Sequence, residues 1–84
     1  MVEREVICYI VATHYGTFYT GITNSIIRRW KEHVNGKSSY LRRVKAKEVV
    51  WLIVCDDRKI ARSYELMIKR VGARKFLIKQ GLYL

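Results

Sequence analysis

The fold is decided by residues 5–22, whose sequence is EVICYIVATHYGTFYTGI. Residues 5–13 and 17–22 are rich in β-branched and aromatic side chains, which favour strands. His14-Tyr15-Gly16 separates them, and Gly16 supplies the backbone freedom that a tight connection needs. The stretch therefore predicts a β-hairpin, and Gly21 inside the second strand indicates a bulge or a close backbone approach.

A helix is predicted next, over residues 25–35. Thr23 or Asn24 can cap its start, and Gly36 stands in the position of a C-terminal stop. A helical wheel at about 100° per residue places four apolar residues on the stripe expected to be buried. They are Ile26, Ile27, Trp30 and Val34.

The second half of the chain predicts one more strand and two more helices. Residues 48–55, EVVWLIVC, form a nearly continuous apolar run, which is typical of a central strand buried on both faces. Asp57 can cap a helix over residues 58–71, which Gly72 ends. The stripe expected to be buried on that helix is Ile60, Tyr64, Met67, Ile68 and Val71. Residues 73–80 favour a short final helix. Its expected core contacts are Phe76 and Leu77, with Leu82 as a further candidate.

The segment between the first helix and the third strand is not assigned by its pattern. Residues 37–47, KSSYLRRVKAK, are basic and only loosely periodic, so a short second helix and an ordered loop both stay open.

The length and the net charge of the chain limit the number of domains and the kinds of partner that it can have. A chain of 84 residues forms one domain, residues 1–84. Its 17 Lys and Arg against 7 Asp and Glu give a net charge of +10, and such a field attracts polyanions. Nucleic acid is the expected partner, and a merely solvated basic surface is the alternative. A membrane-surface role would need the cations gathered on one amphipathic helix, but they are spread from Arg4 to Lys79.

Further features of the sequence indicate where the protein is located and how its two cysteines are expected to behave. No stretch is long and uncharged enough to cross a bilayer, and the N-terminus lacks the pattern of a signal peptide, so a cytoplasmic location is expected. Cys8 and Cys55 each lie inside an apolar run and are expected to be free core thiols rather than a disulfide or a metal pair.

Arg29 and His33 stand one turn apart at the edge of the first helix's apolar stripe. Arg28 instead faces solvent and can pair with Glu32. The planar Arg29 guanidinium suits a phosphate, because it donates two hydrogen bonds and stays charged. A shared phosphate site and a snorkelling arginine beside a satisfied histidine are both open.

Tyr9, Tyr19 and Glu65 carry the remaining candidate chemistry. The two tyrosines lie on the hairpin strands, where aromatic pairs are ordinary packing. A role as a base requires a phenol pKa lowered by nearby cations, and we expect Arg29 and the positive field to lower it. Glu65 can pair with Lys69 on the helix surface, or it can hold Mg²⁺, which needs only one or two protein carboxylates.

These residues resemble the GIY-YIG nuclease family, whose fold is a compact three-stranded antiparallel sheet flanked by helices. Tyr19-Thr20-Gly21 matches its second motif, Tyr-X-Gly. Ile7-Cys8-Tyr9 keeps the tyrosine that ends its first motif and lacks the opening glycine. The resemblance implies an α+β domain in which the hairpin and a central third strand are flanked by three to four helices. The chain resembles a small stand-alone, single-domain member of the family and is similar to the excision-repair nuclease N-terminal domain.

The resemblance extends to the helices. Arg29 and His33 match the family's arginine and the histidine one turn later. Glu65, followed by Ile68-Lys69, matches its metal-binding glutamate, which precedes an Ile-Lys. Many family nucleases also carry an asparagine near the end of the domain, and no asparagine occurs here after Asn35.

The resemblance implies an endonuclease that hydrolyses DNA phosphodiesters with one Mg²⁺ or Mn²⁺ held by Glu65, in repair or recombination. Tyr9, as phenolate, is then the general base acting on water, Arg29 steadies the scissile phosphate, Tyr19 and His33 orient groups or relay protons, and Gly21 permits close packing. DNA is favoured over RNA, and a homodimer or a partner protein could supply specificity. The expected phosphate contacts are Lys31, Lys37, Arg42, Arg43 and Lys45. A catalytically inactive nucleic-acid-binding module and a protein-interaction domain are the competing classes.

Overall fold

A computed structural model of the chain describes residues 5–35 and 45–82. Three strands and three helices follow one another within these residues, and the predicted α+β class is confirmed. In chain order they are β1 (Val6–Thr13), β2 (Phe18–Thr23), α1 (Ile26–Val34), β3 (Ala46–Cys55), α2 (Arg58–Val71) and α3 (Ala73–Lys79).

The sheet is antiparallel, and β1 is its central strand. The strand order is β2-β1-β3, so β1 pairs with both neighbours. The prediction that the third strand is central was therefore wrong. β3 lies at an edge of the sheet, and Leu52 and Val54 are 44% and 53% exposed. An apolar run matches a doubly buried strand in composition, but here part of the run faces outward.

The two faces of the sheet have different roles. Cys8 and Ile10 of β1 point into the main core, together with residues of α2 and α3 such as Ile68 and Leu77. Since neighbouring side chains on a strand alternate, Tyr9 points to the opposite face. α1 supplies a partner there, because the Tyr9 hydroxyl is hydrogen-bonded to His33.

α1 begins one or two residues later than the predicted caps. Ser25 is its N-cap, and its side chain accepts a hydrogen bond from the Arg28 backbone N–H at 3.3 Å. Thr23 holds this cap in place by accepting from the Ser25 N–H at 3.1 Å. The predicted buried stripe was partly wrong, because Ile27 and Val34 are exposed.

α2 follows its predicted bounds. Asp57 caps it by accepting from the Ile60 N–H at 3.0 Å, and Gly72 ends it with φ 101°. The buried residues of the helix are Ala61 and Ile68. Tyr64, Met67 and Ile68 face the core as predicted, but Ile60 and Val71 are exposed, so the predicted stripe was only partly right.

α3 closes the core beneath the sheet. Phe76 and Leu77 are buried as predicted, and the Phe76 ring lies edge-on to Trp51 with centroids 4.8 Å apart. Leu82 is 51% exposed and does not join them. Cys8 and Cys55 are free and buried, as expected.

Most of the unassigned basic segment, including Lys37, lies outside the described residues. At its end, Ala46 and Lys47 belong to β3. Lys45 precedes the strand with φ 64°, in the left-handed region. Within the described ranges, no helix is long and apolar enough to span a bilayer.

Candidate active site

A hydrogen bond between Tyr9 and His33 forms the centre of the site. The phenol oxygen lies 2.8 Å from His33 Nε2, and the two side chains come from β1 and α1. Tyr9 is 1% exposed and His33 3% exposed. The central strand and the first helix thus fix a phenol against an imidazole in a buried position.

Tyr19 completes an aromatic cluster on the same face. Its ring centroid lies 5.1 Å from that of His33, in an edge-on arrangement, and 6.4 Å from that of Tyr9. The structure therefore brings together three of the predicted site residues, Tyr9, Tyr19 and His33.

Gly21 lies directly opposite Tyr9 in the β1–β2 register. A Cβ atom at this position would stand 2.8 Å from the Tyr9 hydroxyl oxygen and 3.2 Å from Tyr19 Cε1. A glycine is required here because the phenol occupies the space of a side chain. The close approach predicted at Gly21 is confirmed.

The expected lowering of the Tyr9 pKa was wrong. Burial raises the pKa of Tyr9 well above its ordinary value, and the neighbouring Tyr19 raises it further. Arg29 acts in the predicted direction by lowering it, and Glu65 opposes Arg29. The phenol is therefore neutral at physiological pH in this structure.

The pKa of His33 is shifted in the opposite direction. Burial lowers its pKa, Arg29 lowers it further, and Glu32 partly offsets them. A neutral imidazole therefore faces the neutral phenol, and each pairs with the other without a formal charge. Nδ1 of His33 is buried and has no hydrogen-bond partner within residues 5–35 and 45–82.

Arg29 lies on the same side of α1 as His33. Its Nη1 donates to Glu32 at 3.0 Å, whereas its buried Nε has no partner in the described part of the chain. Arg28 also reaches Glu32, at 3.8 Å, so its predicted surface pair is confirmed. Glu32 thus pairs with both arginines, and its shorter contact is with Arg29 rather than the predicted Arg28.

Glu65 lies on α2, and its side chain is 13% exposed. Its Oε2 accepts from Lys69 Nζ at 3.1 Å, so the predicted alternative of an ion pair is confirmed. A second cation, Arg62, lies 3.8 Å from Oε1. The carboxylate also acts on the sheet, because it raises the pKa of both Tyr9 and Cys8.

Sequence reasoning did not select Arg62. The available signal was an arginine three residues before Glu65 on a predicted helix, which places the two side chains on one face. The lysine four residues after it was noticed because that spacing is the commoner ion-pair motif.

The predicted phosphate-binding residues are only partly described. Lys31 and Lys45 are exposed, as phosphate contact requires. Lys37, Arg42 and Arg43 lie outside the described residues.

The available metal donors are few. No group of three or more His, Cys, Asp or Glu side chains suited to a metal occurs in the described ranges. Glu65 is the carboxylate on α2 that raises the pKa of Tyr9, whereas Glu32 on α1 pairs with Arg29. This donor set fits Mg²⁺, which keeps several waters and often takes one protein carboxylate together with substrate phosphate.

Comparison with known proteins finds a matching family model and several relatives. The family model described as the GIY-YIG catalytic domain matches residues 5–77. A UPF0213 protein of Photorhabdus laumondii is 33% identical over 76 residues, which are 89% of this chain and 73% of that protein. A UPF0213 protein of Fusobacterium nucleatum is 31% identical over 68 residues, covering 80% and 68%. These names assign no activity.

A solved structure is also similar. The solution NMR structure of a UPF0213 protein from Bacillus halodurans superimposes with a TM-score of 0.58 at 26% identity. The match covers 93% of this chain and 84% of that one.

Proposed function

The chain belongs to the GIY-YIG catalytic-domain family, and on that premise we propose that it is a divalent-metal-dependent endonuclease that hydrolyses DNA phosphodiesters. The observation that carries the proposal is the buried 2.8 Å contact between Tyr9 and His33, with Arg29 and Glu65 both acting on the same phenol. Arg29 lowers and Glu65 raises the pKa of this buried phenol, so a cation and a carboxylate both influence the hydroxyl that contacts the imidazole.

Tyr9 and His33 act as a proton relay. With the His33 proton on Nδ1, the Tyr9 hydroxyl donates to the free Nε2. As water attacks phosphorus and the bond from phosphorus to the leaving oxygen breaks, the Tyr9 oxygen accepts the water proton, its own proton passes to Nε2, and the leaving oxygen takes a proton from solvent water. A relay of this kind suits a phenol whose pKa is raised, because no free phenolate has to form beforehand.

Arg29 binds and orients the scissile phosphate. Glu32 holds one end of the guanidinium at 3.0 Å, which fixes the plane of the fork. A fixed, permanently charged fork stabilises the charge that builds on the phosphate oxygens during attack. Tyr19 packs on His33 and keeps the imidazole facing Tyr9.

Glu65 holds the metal ion. Mg²⁺ or Mn²⁺ in this position supplies Lewis-acid stabilisation of charge on the phosphate and on the leaving oxygen. Lys31, Lys37, Arg42, Arg43 and Lys45 bind flanking phosphates, so affinity should fall steeply with salt. Cleavage in repair or recombination, with a homodimer or a partner protein supplying specificity, follows from the resemblance to stand-alone family nucleases.

One observation favours a second candidate, a nucleic-acid-binding module of the same fold that does not cut. Lys69 and Arg62 each face a Glu65 oxygen, and while both stay paired with the carboxylate they compete with a metal for it. The +10 charge would serve either function.

Cleavage assays separate the two candidates. Branched, flapped, duplex and single-stranded DNA and RNA should be incubated with the protein, with Mg²⁺, Mn²⁺ or EDTA. Arg29→Ala and Glu65→Gln are the test variants. Arg28→Ala and Glu48→Gln are matched controls, since each removes the same charge at an exposed position. Far-UV circular dichroism checks that all four fold.

Metal-dependent cleavage that both test variants lose and both controls keep supports the nuclease. Salt-sensitive binding without product under any condition leaves the binding module. If no nucleic acid binds at low salt, both candidates fail.

A further inference from the structure

We propose that Arg62 and Lys69 are exchangeable counterions of Glu65. They neutralise the carboxylate in the free protein, and they turn to substrate phosphates on either side of the scissile bond when Glu65 takes a divalent metal. This inference rests on the proposed function and adds how the same site is regulated.

The geometry of α2 places both cations on Glu65. Arg62 precedes the glutamate by three residues and Lys69 follows it by four, so all three share one helix face. Arg62 Nε lies 3.8 Å from Oε1, and Lys69 Nζ lies 3.1 Å from Oε2. Each cation therefore faces a different oxygen of the carboxylate.

Glu65 is mostly buried and its two cations are exposed, which is the arrangement that an exchange of partners requires. Glu65 is 13% exposed, so its charge is costly to leave unpaired. Arg62 and Lys69 are 62% and 56% exposed, so their heads can swing away into the solvent without repacking the core. The carboxylate stays in place and its partners are free to move.

The spacing of the two cations suits a nucleic-acid strand. Seven residues separate Arg62 from Lys69, and seven residues of helix span about 10 Å. Phosphates on one strand of duplex DNA rise about 3.4 Å per nucleotide along the axis. The two cations therefore bracket about three nucleotides, with Glu65 between them.

The exchange makes metal and nucleic acid cooperative ligands. In the free protein, Arg62 and Lys69 compete with a metal for Glu65. When phosphates draw the cations away, the carboxylate becomes available, and by linkage the metal raises the affinity for nucleic acid by the same factor. Metal is then held weakly until substrate arrives.

Metal affinity of the free protein tests the first half of this exchange. Mn²⁺ binding should be measured by electron paramagnetic resonance for the wild type, Lys69→Met, Lys59→Met and Glu65→Gln. Lys59 is the matched control, since it is an exposed lysine on the same helix with no acidic partner among the described residues. We expect Lys69→Met to bind Mn²⁺ about two- to tenfold more tightly. Lys59→Met should stay close to wild type.

Binding of a fluorescent DNA duplex in EDTA tests the second half. Glu65→Gln releases both cations without metal, so it should bind the duplex about two- to fivefold more tightly than Glu48→Gln, which removes an exposed charge on β3. The double variant Glu65→Gln/Lys69→Met should lose the part of that gain that Lys69 contributes, because Arg62 remains released.

The outcomes separate this inference from the proposed function. If Lys69→Met binds Mn²⁺ no more tightly than Lys59→Met, or Glu65→Gln gains no more than Glu48→Gln, the exchange is refuted even where Glu65→Gln loses metal. If Glu65→Gln binds Mn²⁺ as the wild type does, the metal does not use Glu65 and both proposals fail.

Discussion

Replacement of Gly21 by alanine should destabilise the fold through Tyr9. The new Cβ would lie 2.8 Å from the phenol oxygen, closer than real contacts allow, and 3.1 Å from Cζ, which is a tight contact. Tyr9 is 1% exposed and held by His33, so the phenol cannot move aside without losing its hydrogen bond. The active-site cluster would be disturbed together with the sheet.

The magnitude follows from three effects. Overpacking a core costs about 1–3 kcal/mol, and the lost hydrogen bond costs about 1 kcal/mol more. Reduced freedom of the unfolded chain offsets about 0.4–1 kcal/mol. We expect a net loss of about 2 kcal/mol, or about 8–16 °C in Tm for a domain of this size.

Urea unfolding, followed by tryptophan fluorescence, measures this loss. The decisive comparison is Gly21→Ala in the Tyr9→Phe background, where the clashing oxygen is gone and the cost should fall by about 1 kcal/mol or more. Gly16→Ala is the control. Gly16 has φ +81° with no atom within 4 Å of its ideal Cβ, so its cost of about 1–2 kcal/mol is backbone strain and should not depend on Tyr9. Equal costs of Gly21→Ala in both backgrounds would refute the reasoning.

The pKa shifts lead to three further expectations. Stability should fall as the pH drops below about 6.5, because the unfolded chain protonates His33 while the folded chain, with its lowered His33 pKa, does not. Urea midpoints of His33→Gln should lose that part of the pH dependence, and those of His14→Gln should keep it. Stability should also fall above about pH 10, because only the unfolded chain ionises Tyr9, whose pKa is raised in the fold; Tyr9→Phe should show a smaller fall. Burial raises the pKa of Cys8 to about 12 and also raises that of Cys55, so a thiol reagent should react with both only in denaturant; reaction at neutral pH in native buffer would contradict the buried core.

Local signals predicted most of the fold. The hairpin, the cap at Asp57 and the stop at Gly72 each depend on a few adjacent residues, and all three are confirmed. The position of β3 does not depend on local sequence. Its apolar run matches a central strand in composition, whereas strand order is set by which strand finds partners on both sides, and that strand is β1.

The sequence predicted that Tyr9, Tyr19 and His33 lie together. It did not predict how deeply they are buried or how burial shifts their pKa values. A helical wheel ranks positions by apolar character, so it assigned Val34 to the interior and left His33 at the edge, although His33 is the buried one. The sign of the Tyr9 pKa shift failed for the same reason. The charge of Arg29, which lowers the Tyr9 pKa, can be read from the sequence. Desolvation raises that pKa by more, and it depends on how the folded elements bury the phenol.

The central position of β1 also determines how the protein should respond to heat. Tyr9 lies on the strand that is hydrogen-bonded on both sides, where exchange of backbone amides with solvent normally requires global unfolding. A lid or a loop can open while the rest of a domain stays native, but this phenol has no such route. The position of Tyr9 in the sheet should therefore persist on heating until the sheet itself unfolds.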